Sequence, residues 1–111
     1  MKMIEAVIRP FKLDEVRSAL TESGVTAMTV SEVFGAGPRS VRNDFYRGLE
    51  YTRLVPGFKL EVAVSDHLCD HIVRIITRAA RTGQRGSGTI FVSTLDGATK
   101  VRTGECGEAV L

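Results

Sequence analysis

Tryptophan is absent from this chain, and aromatic residues of all kinds make up only 6% of it. RNA recognition on a β-sheet calls for stacked aromatics in a compact run, and no such run is present. There are two cysteines, Cys69 and Cys106, too few for a disulfide framework and without the spacing of zinc ligands. Charge of one sign is also scarce: the formal net charge is +2, too small to argue for a nucleic-acid partner. No apolar run approaches the roughly 18–20 residues that a membrane-spanning helix needs. The opening MKMIEAVIRP is broken by Glu5 and Arg9, so it carries no secretory core. These absences point to the cytoplasm and away from direct membrane insertion. No histidine lies near a plausible serine elbow either, so nucleophilic hydrolysis has no visible machinery.

What is present is ordinary globular material. Apolar residues at 43% and charged residues at 25% favour a packed core over disorder, and 111 residues make one domain, 1–111. Ile4, Ala6 and Ile8 alternate with Met3, Glu5 and Val7, a strand ended by Pro10. Leu13, Val16 and Leu20 then recur at helical spacing, with Asp14 and Glu15 in the first turn and Ser23-Gly24 as the stop. Residues 25–34 read as a second strand. Phe58, Leu60, Val62 and Val64 alternate with Lys59, Glu61 and Ala63 as a third. Ser65 is placed to cap a second helix whose apolar face is Leu68, Ile72, Ile75, Ile76 and Ala79. Residues 89–95 make a fourth strand. Asp96-Gly97 signals a hairpin, from which residues 98–103 are expected to pair back as a short last strand.

The order β-α-β-(loop)-β-α-β predicts a ferredoxin-like α+β sandwich, with two helices on one face of an antiparallel sheet and a C-terminal hairpin. Met3, Glu5, Val7, Lys59, Glu61 and Ala63 would then lie on the other face. They are too apolar for water and too charged for a core, which predicts that copies of the chain cover them.

Between strands two and three, residues 35–57 run as GAGPRSVRNDFYRGLEYTRLVPG. The segment holds four arginines and both tyrosines, Tyr46 and Tyr51, and reads as a structureless excursion. Loops of that length in a small domain are usually functional. This one reads as presenting arginine and tyrosine to a partner or ligand.

Three further groups carry chemistry. TGQRGSG, residues 82–88, has three glycines that let backbone N–H groups approach an anion; a flexible helix-to-strand turn is the alternative. Lys100 and Arg102 alternate on the expected last strand. If that strand packs beside the fourth, they join Arg85 next to the glycine loop; otherwise they guard a solvated edge. His67 and His71 are one helical turn apart, but no third metal ligand is evident, so a solvated pair is preferred.

The chain as a whole resembles the PII signal-transduction proteins, the nitrogen regulatory P-II family. The motifs MKMIEAVIRPFKLDEVRSAL, TAMTVSEVFGAG, YRGLEY, TGQRGSGTIFV and KVRTGE fall in family order and at family spacing. The resemblance implies a homotrimer with a nucleotide site in each cleft between subunits. It further implies a mobile loop, about residues 37–55, that docks on transporters or enzymes. Such proteins sense ATP against ADP, commonly with 2-oxoglutarate, and regulate without catalytic turnover. By position, Thr29, Gly35, Gly37, Glu61, Val62 and Val64 would surround the adenine and ribose, with Pro38 and Arg39 at the loop base. Gly86, Ser87, Gly88, Thr89, Lys100 and Arg102 would face the phosphates. Tyr51 stands where many bacterial members carry a modified tyrosine, with Tyr46 a second docking candidate.

The departures from the family are informative. Arg39 replaces a glutamine that helps hold magnesium and 2-oxoglutarate, and a guanidinium has no acceptor atom for a metal. A family lysine falls near Gly57, Gly86-Ser87-Gly88-Thr89 loses another, and Lys100 stands in for arginine. These changes predict a divergent member that keeps adenine nucleotides (ATP or ADP, with AMP a further candidate). Its magnesium and 2-oxoglutarate response would be weakened, with a small anion such as bicarbonate as the replacement effector. A nucleotide-hydrolysing enzyme and a metal-binding module through His67 and His71 are the competing classes.

Overall fold

The computed structural model describes residues 1–36, 42–46, 49–84 and 88–111, with only the backbone of 42–46 and 49–53. The elements are β1 (Lys2–Ile8), α1 (Leu13–Glu22), β2 (Thr29–Gly35), β3 (Arg42–Tyr46), β4 (Leu49–Arg53), β5 (Val55–Val64), α2 (Cys69–Ala80) and β6 (Gly88–Thr94). Four strands form one antiparallel sheet in the order β2-β5-β1-β6, and β3 pairs with β4 in a separate ribbon. This is the expected ferredoxin-like arrangement.

Each half of the fold enters its helix the same way. A 3-10 turn, Pro10–Lys12 before α1 and Asp66–Leu68 before α2, lifts the chain off the sheet. Pro10 suits the first of these because its missing N–H has no partner to lose there. The second overturns a local expectation. Ser65 is extended and its hydroxyl caps nothing; α2 starts only at Cys69. The neighbouring Asp66 carboxylate instead accepts a hydrogen bond from the Met1 amino group at 2.8 Å. α1 ends as expected. The Ser23 hydroxyl donates to the Ala19 carbonyl, and Gly24, at φ +90°, turns the chain so that Val25 N–H reaches the Leu20 carbonyl.

Alternation along the strands decides which side is core. Ile4, Ala6 and Ile8 of β1 and Leu60, Val62 and Val64 of β5 are buried against Val16 and Leu20 of α1 and Ile72 and Ile76 of α2. Each such side chain, fully removed from water, contributes roughly 1.5–3 kcal/mol before entropy is counted. The opposite parity, Met3, Glu5, Val7, Lys59, Glu61 and Ala63, is half-buried by its strand neighbours and faces away from both helices.

Two expectations for the connections fail. The segment between the second and third strands is not structureless: β2 runs on to Gly35, β5 begins at Val55, and Arg42–Tyr46 pairs with Leu49–Arg53. β3 pairs with β4 alone, apart from the four-stranded sheet, and its polar sequence shows no strand alternation that would have announced it. Likewise, residues 98–103 do not pair with β6. They fold on themselves in a small hairpin, in which Thr99 bridges to Cys106 and Lys100 N–H reaches the Glu105 carbonyl at 2.8 Å.

Candidate functional site

The strand register separates the residues expected to share a site. Gly88 lies opposite Ile8, at the end of β1 where the chain leaves the sheet for α1 and returns to it from α2. Gly35 pairs with Val55, just beyond that same end. Val64 pairs with Lys2 at the other end, and Thr29 pairs with Glu61 in the middle row. Six residues of strand separate the two ends, about 20 Å at the usual rise. Gly35 and Gly88 are themselves on opposite edges of the sheet, three strand spacings or roughly 14 Å across it and about three residues of strand, roughly 10 Å, along it.

Side-chain direction narrows the adenine end further. Val62 and Val64 are buried in the core under the helices, so only their backbone can meet a ligand. Glu61 points to the opposite face, where its carboxylate lies 3.9 Å from the Lys59 ammonium.

Residues 98–103 do not pack beside β6, so the condition under which Lys100 and Arg102 would join the glycine loop of the same chain is not met. The two cations sit on the exposed tail hairpin, which leaves the sheet at the far end of β6 from Gly88. Leu95 N–H, bonded to the Met1 carbonyl, anchors that exit. Neither cation forms a hydrogen bond or ion pair through its side chain with the described residues. Val101 between them is fully exposed. The tail therefore presents two free cations away from its own glycine loop.

At the glycine-loop end the structure adds residues that the sequence did not single out. A cavity of about 590 Å³ opens between the last turns of α2 and the start of β6. Val7, Ile8, Val73, Ala80 and Ile90 give it an apolar wall, and Arg81, Gly83, Gln84, Gly88 and Thr89 carry it towards the loop. Thr77 lines it too, but its hydroxyl donates to the Val73 carbonyl at 2.8 Å. The loop entrance is an ordered turn in which Gln84 N–H donates to Thr82 Oγ1 at 3.2 Å. The signal for this wall was available in the sequence: α2 carries Val73 and Ala80 on the flank of its apolar face.

Gly88 and Gly57 have structural reasons for being glycine. Gly88 has φ +126°, and a Cβ there would overlap the Val7 carbonyl oxygen. Gly57 is buried, and its Cβ would come within 3.0 Å of the Ile8 carbonyl oxygen. The two glycines thus let β5 and β6 close on the last carbonyls of β1 from both sides.

Gly37, Pro38, Arg39, Gly86 and Ser87 lie outside the described residues, as do the side chains of Tyr46 and Tyr51. His67 lies in the 3-10 turn and His71 in α2, both exposed, while Cys69 between them is buried. Among the described residues no three histidine, cysteine or acidic side chains gather as a metal group. None of the described helices is long and apolar enough to cross a membrane.

Comparison with known proteins decides the family. The model of the nitrogen regulatory protein P-II family matches residues 1–105. This chain belongs to the P-II family. Nitrogen regulatory protein P-II of Rhizobium etli is 46% identical over 112 residues, covering all of both chains. The protein of the same name from Nostoc punctiforme is 48% identical over 106 residues, 95% of each chain. Nitrogen regulatory protein GlnK of Escherichia coli is 42% identical over 112 residues, again all of both. These P-II relatives are named as regulators, and this chain is a P-II family regulator of nitrogen metabolism rather than an enzyme.

Proposed function

We propose that this P-II regulator binds an adenine nucleotide, ATP or ADP, in a cleft between copies of the chain arranged head to tail. It then controls a cytoplasmic transporter or enzyme through residues 37–55. The observation that carries the reading is the separation of the candidate site into two ends of one sheet. Gly35, Gly88 and Thr89 stand at one end, and Val64 and the tail cations Lys100 and Arg102 at the other. A site built from both ends of the same surface requires a heterologous contact. Such contacts close into rings when the rotation allows. A trimer is the ring that the family resemblance implies.

Nucleotide state then controls the partner by changing which arrangement of the 37–55 segment is favoured. Only a ligand that binds the two arrangements unequally can do this. The second effector follows from Gly57. Buried and without a side chain, it supplies no cation for a dicarboxylic keto acid, which favours a smaller anion such as bicarbonate alongside ADP or AMP.

Mixing two defective chains tests the shared site. Ser87→Glu places a negative charge in the glycine loop, and Arg102→Ala removes a tail cation; each alone is expected to abolish nucleotide binding. After co-assembly in equal amounts, about one site in four regains both intact halves in a head-to-tail ring. Calorimetry that detects no recovered sites in the mixture overturns the shared-site reading. The same titrations with 2-oxoglutarate and with bicarbonate identify the effector.

A further inference from the structure

Helix α2 carries its cations in a row that the fold does not use. Arg74, Arg78 and the residue after its last turn, Arg81, follow at spacings of four and three residues, and all are exposed. On a helix that spacing keeps side chains on one face, about 6 and 4.5 Å apart along the axis. Buried Cys69, Ile72, Ile76 and Ala80 hold the other face against the core. No hydrogen bond or ion pair joins any of the three guanidiniums to another described residue. The only acid in α2, Asp70, stands one turn before Arg74 and forms no ion pair with it. Thr77, on the same exposed flank, directs its hydroxyl to the Val73 carbonyl at 2.8 Å. Like charges one turn apart destabilise a helix. The helix dipole offsets this for Arg78 in the last turn, and not for Arg74 in the middle.

The neighbouring helix narrows what can meet this row. α1 begins at the end of the sheet where α2 finishes, and its first turn carries Asp14 and Glu15, with side chains 95% and 61% exposed. A flat anionic surface laid across both helices would meet those carboxylates as well as the guanidiniums. A partner one helix wide meets the guanidiniums alone. Guanidinium forks take carboxylates through two parallel hydrogen bonds. A partner helix repeats its side chains at the same 4.5–6 Å or so, whereas a strand offers same-face residues about 6.6 Å apart.

We propose that the α2 row is a docking surface, separate from residues 37–55, for an acidic helix of a partner protein. Carboxylates at i, i+4 and i+7 of that helix match Arg74, Arg78 and Arg81 when the two run parallel, and i, i+3 and i+7 match them when they run antiparallel. The contact needs neither nucleotide nor the cleft between copies, so it stands or falls apart from the function proposed above.

Magnetic resonance of the full chain with labelled arginine tests this, with an alanine-based helical peptide bearing glutamates at i, i+4 and i+7 as the probe. The Nε–H signals of Arg74, Arg78 and Arg81 are expected to shift on titration, while that of Arg17 on α1, beside Asp14, stays in place. The same peptide with glutamine for glutamate should shift none of them. Arg74→Gln combined with Arg78→Gln should weaken the glutamate peptide at least about fivefold, the loss of two exposed charge pairs. Neither residue lines the cavity beside the glycine loop, so that variant should bind ATP as the parent does. Absent shifts at Arg74 and Arg78, equal shifts at Arg17, or an unweakened double variant overturns the docking surface. A double variant that loses ATP overturns its separation from the nucleotide site. A chain that ignores the peptide but sediments with phosphatidylcholine–phosphatidylserine vesicles through Arg74 and Arg78 overturns the acidic helix in favour of a membrane surface.

Discussion

Replacing Gly88 with alanine separates two explanations for a glycine in this loop, ligand approach and strand approach. At φ +126° the backbone lies where an L-residue is strained by about 1–3 kcal/mol. The added Cβ would also overlap the Val7 carbonyl oxygen and lie 3.1 Å from the carbon of that carbonyl and 3.3 Å from Ile8 Cα. All three are backbone atoms, so no side chain can swing away to make room. Relief requires the start of β6 to lift from β1, with loss of one or two ladder hydrogen bonds at about 1 kcal/mol each. The expected cost is therefore about 2–5 kcal/mol, a fall in Tm of more than about 8 °C for a domain of this size. Two controls calibrate it. Gly83→Ala, at φ +76° with nothing within 4 Å, should cost only about 1 kcal/mol. Gly35→Ala, with ordinary φ and open space, should change stability by less than about 0.5 kcal/mol. Urea titration of the three variants measures the ranking. A Gly88→Ala protein as stable as Gly83→Ala would refute the strand-approach argument and leave the loop's third glycine to ligand binding.

Ile76→Ala, at a position with no exposed surface between helix and sheet, should cost about 2–5 kcal/mol in urea unfolding. Arg102→Ala should abolish nucleotide binding while leaving the urea midpoint within experimental error, because the exposed guanidinium makes no contact that folding needs; unchanged calorimetric binding would remove Arg102 from the site. Asp66 is held below the usual carboxylate value by the hydrogen bond and charge of the Met1 ammonium, with smaller contributions from Lys2 and His67. A depressed folded value stabilises above the unfolded pKa and is lost as pH falls through the folded one. Asp66→Asn should therefore lower Tm slightly at pH 7, the gap narrowing below about pH 4 in calorimetric scans.

Local periodicity made most of the fold legible. Ile4, Ala6 and Ile8 read as one face of a strand because the buried face of a sheet must repeat every second residue, and Ile72 and Ile76 read as one face of a helix for the corresponding reason. The failures came away from the four-stranded sheet. Arg42–Tyr46 pairs with Leu49–Arg53 in a ribbon of its own, and residues 98–103 carry alternation enough for a strand but close instead on Glu105–Gly107. Ser65 looked like a cap by type. The 3-10 turn moved the helix start three residues on, and its hydroxyl no longer faces the orphan N–H groups.

The site was harder to read than the fold because sequence proximity and site proximity run in different directions along an antiparallel sheet. Gly88 and Thr94 belong to one strand of seven residues, yet the first reaches the glycine loop and the second leads to the tail cations about 20 Å away. A motif search joins TGQRGSG to KVRTGE because a dozen residues separate them. The register parts them: within one chain the cavity at one end, with Arg81 in its lining, lies away from Lys100 and Arg102 at the other. Joining opposite ends of two copies brings the two together, and a self-complementary two-fold contact does so only if each partner offers both ends to the same surface. The row of Thr29, Glu61, Glu5 and Phe91, its two glutamates half-buried and its ends exposed, lies between those ends of the sheet. Nucleotide that bridges two chains is therefore expected to raise the Tm of the assembled ring, and an unchanged Tm at saturating ATP or ADP would count against a bridging site.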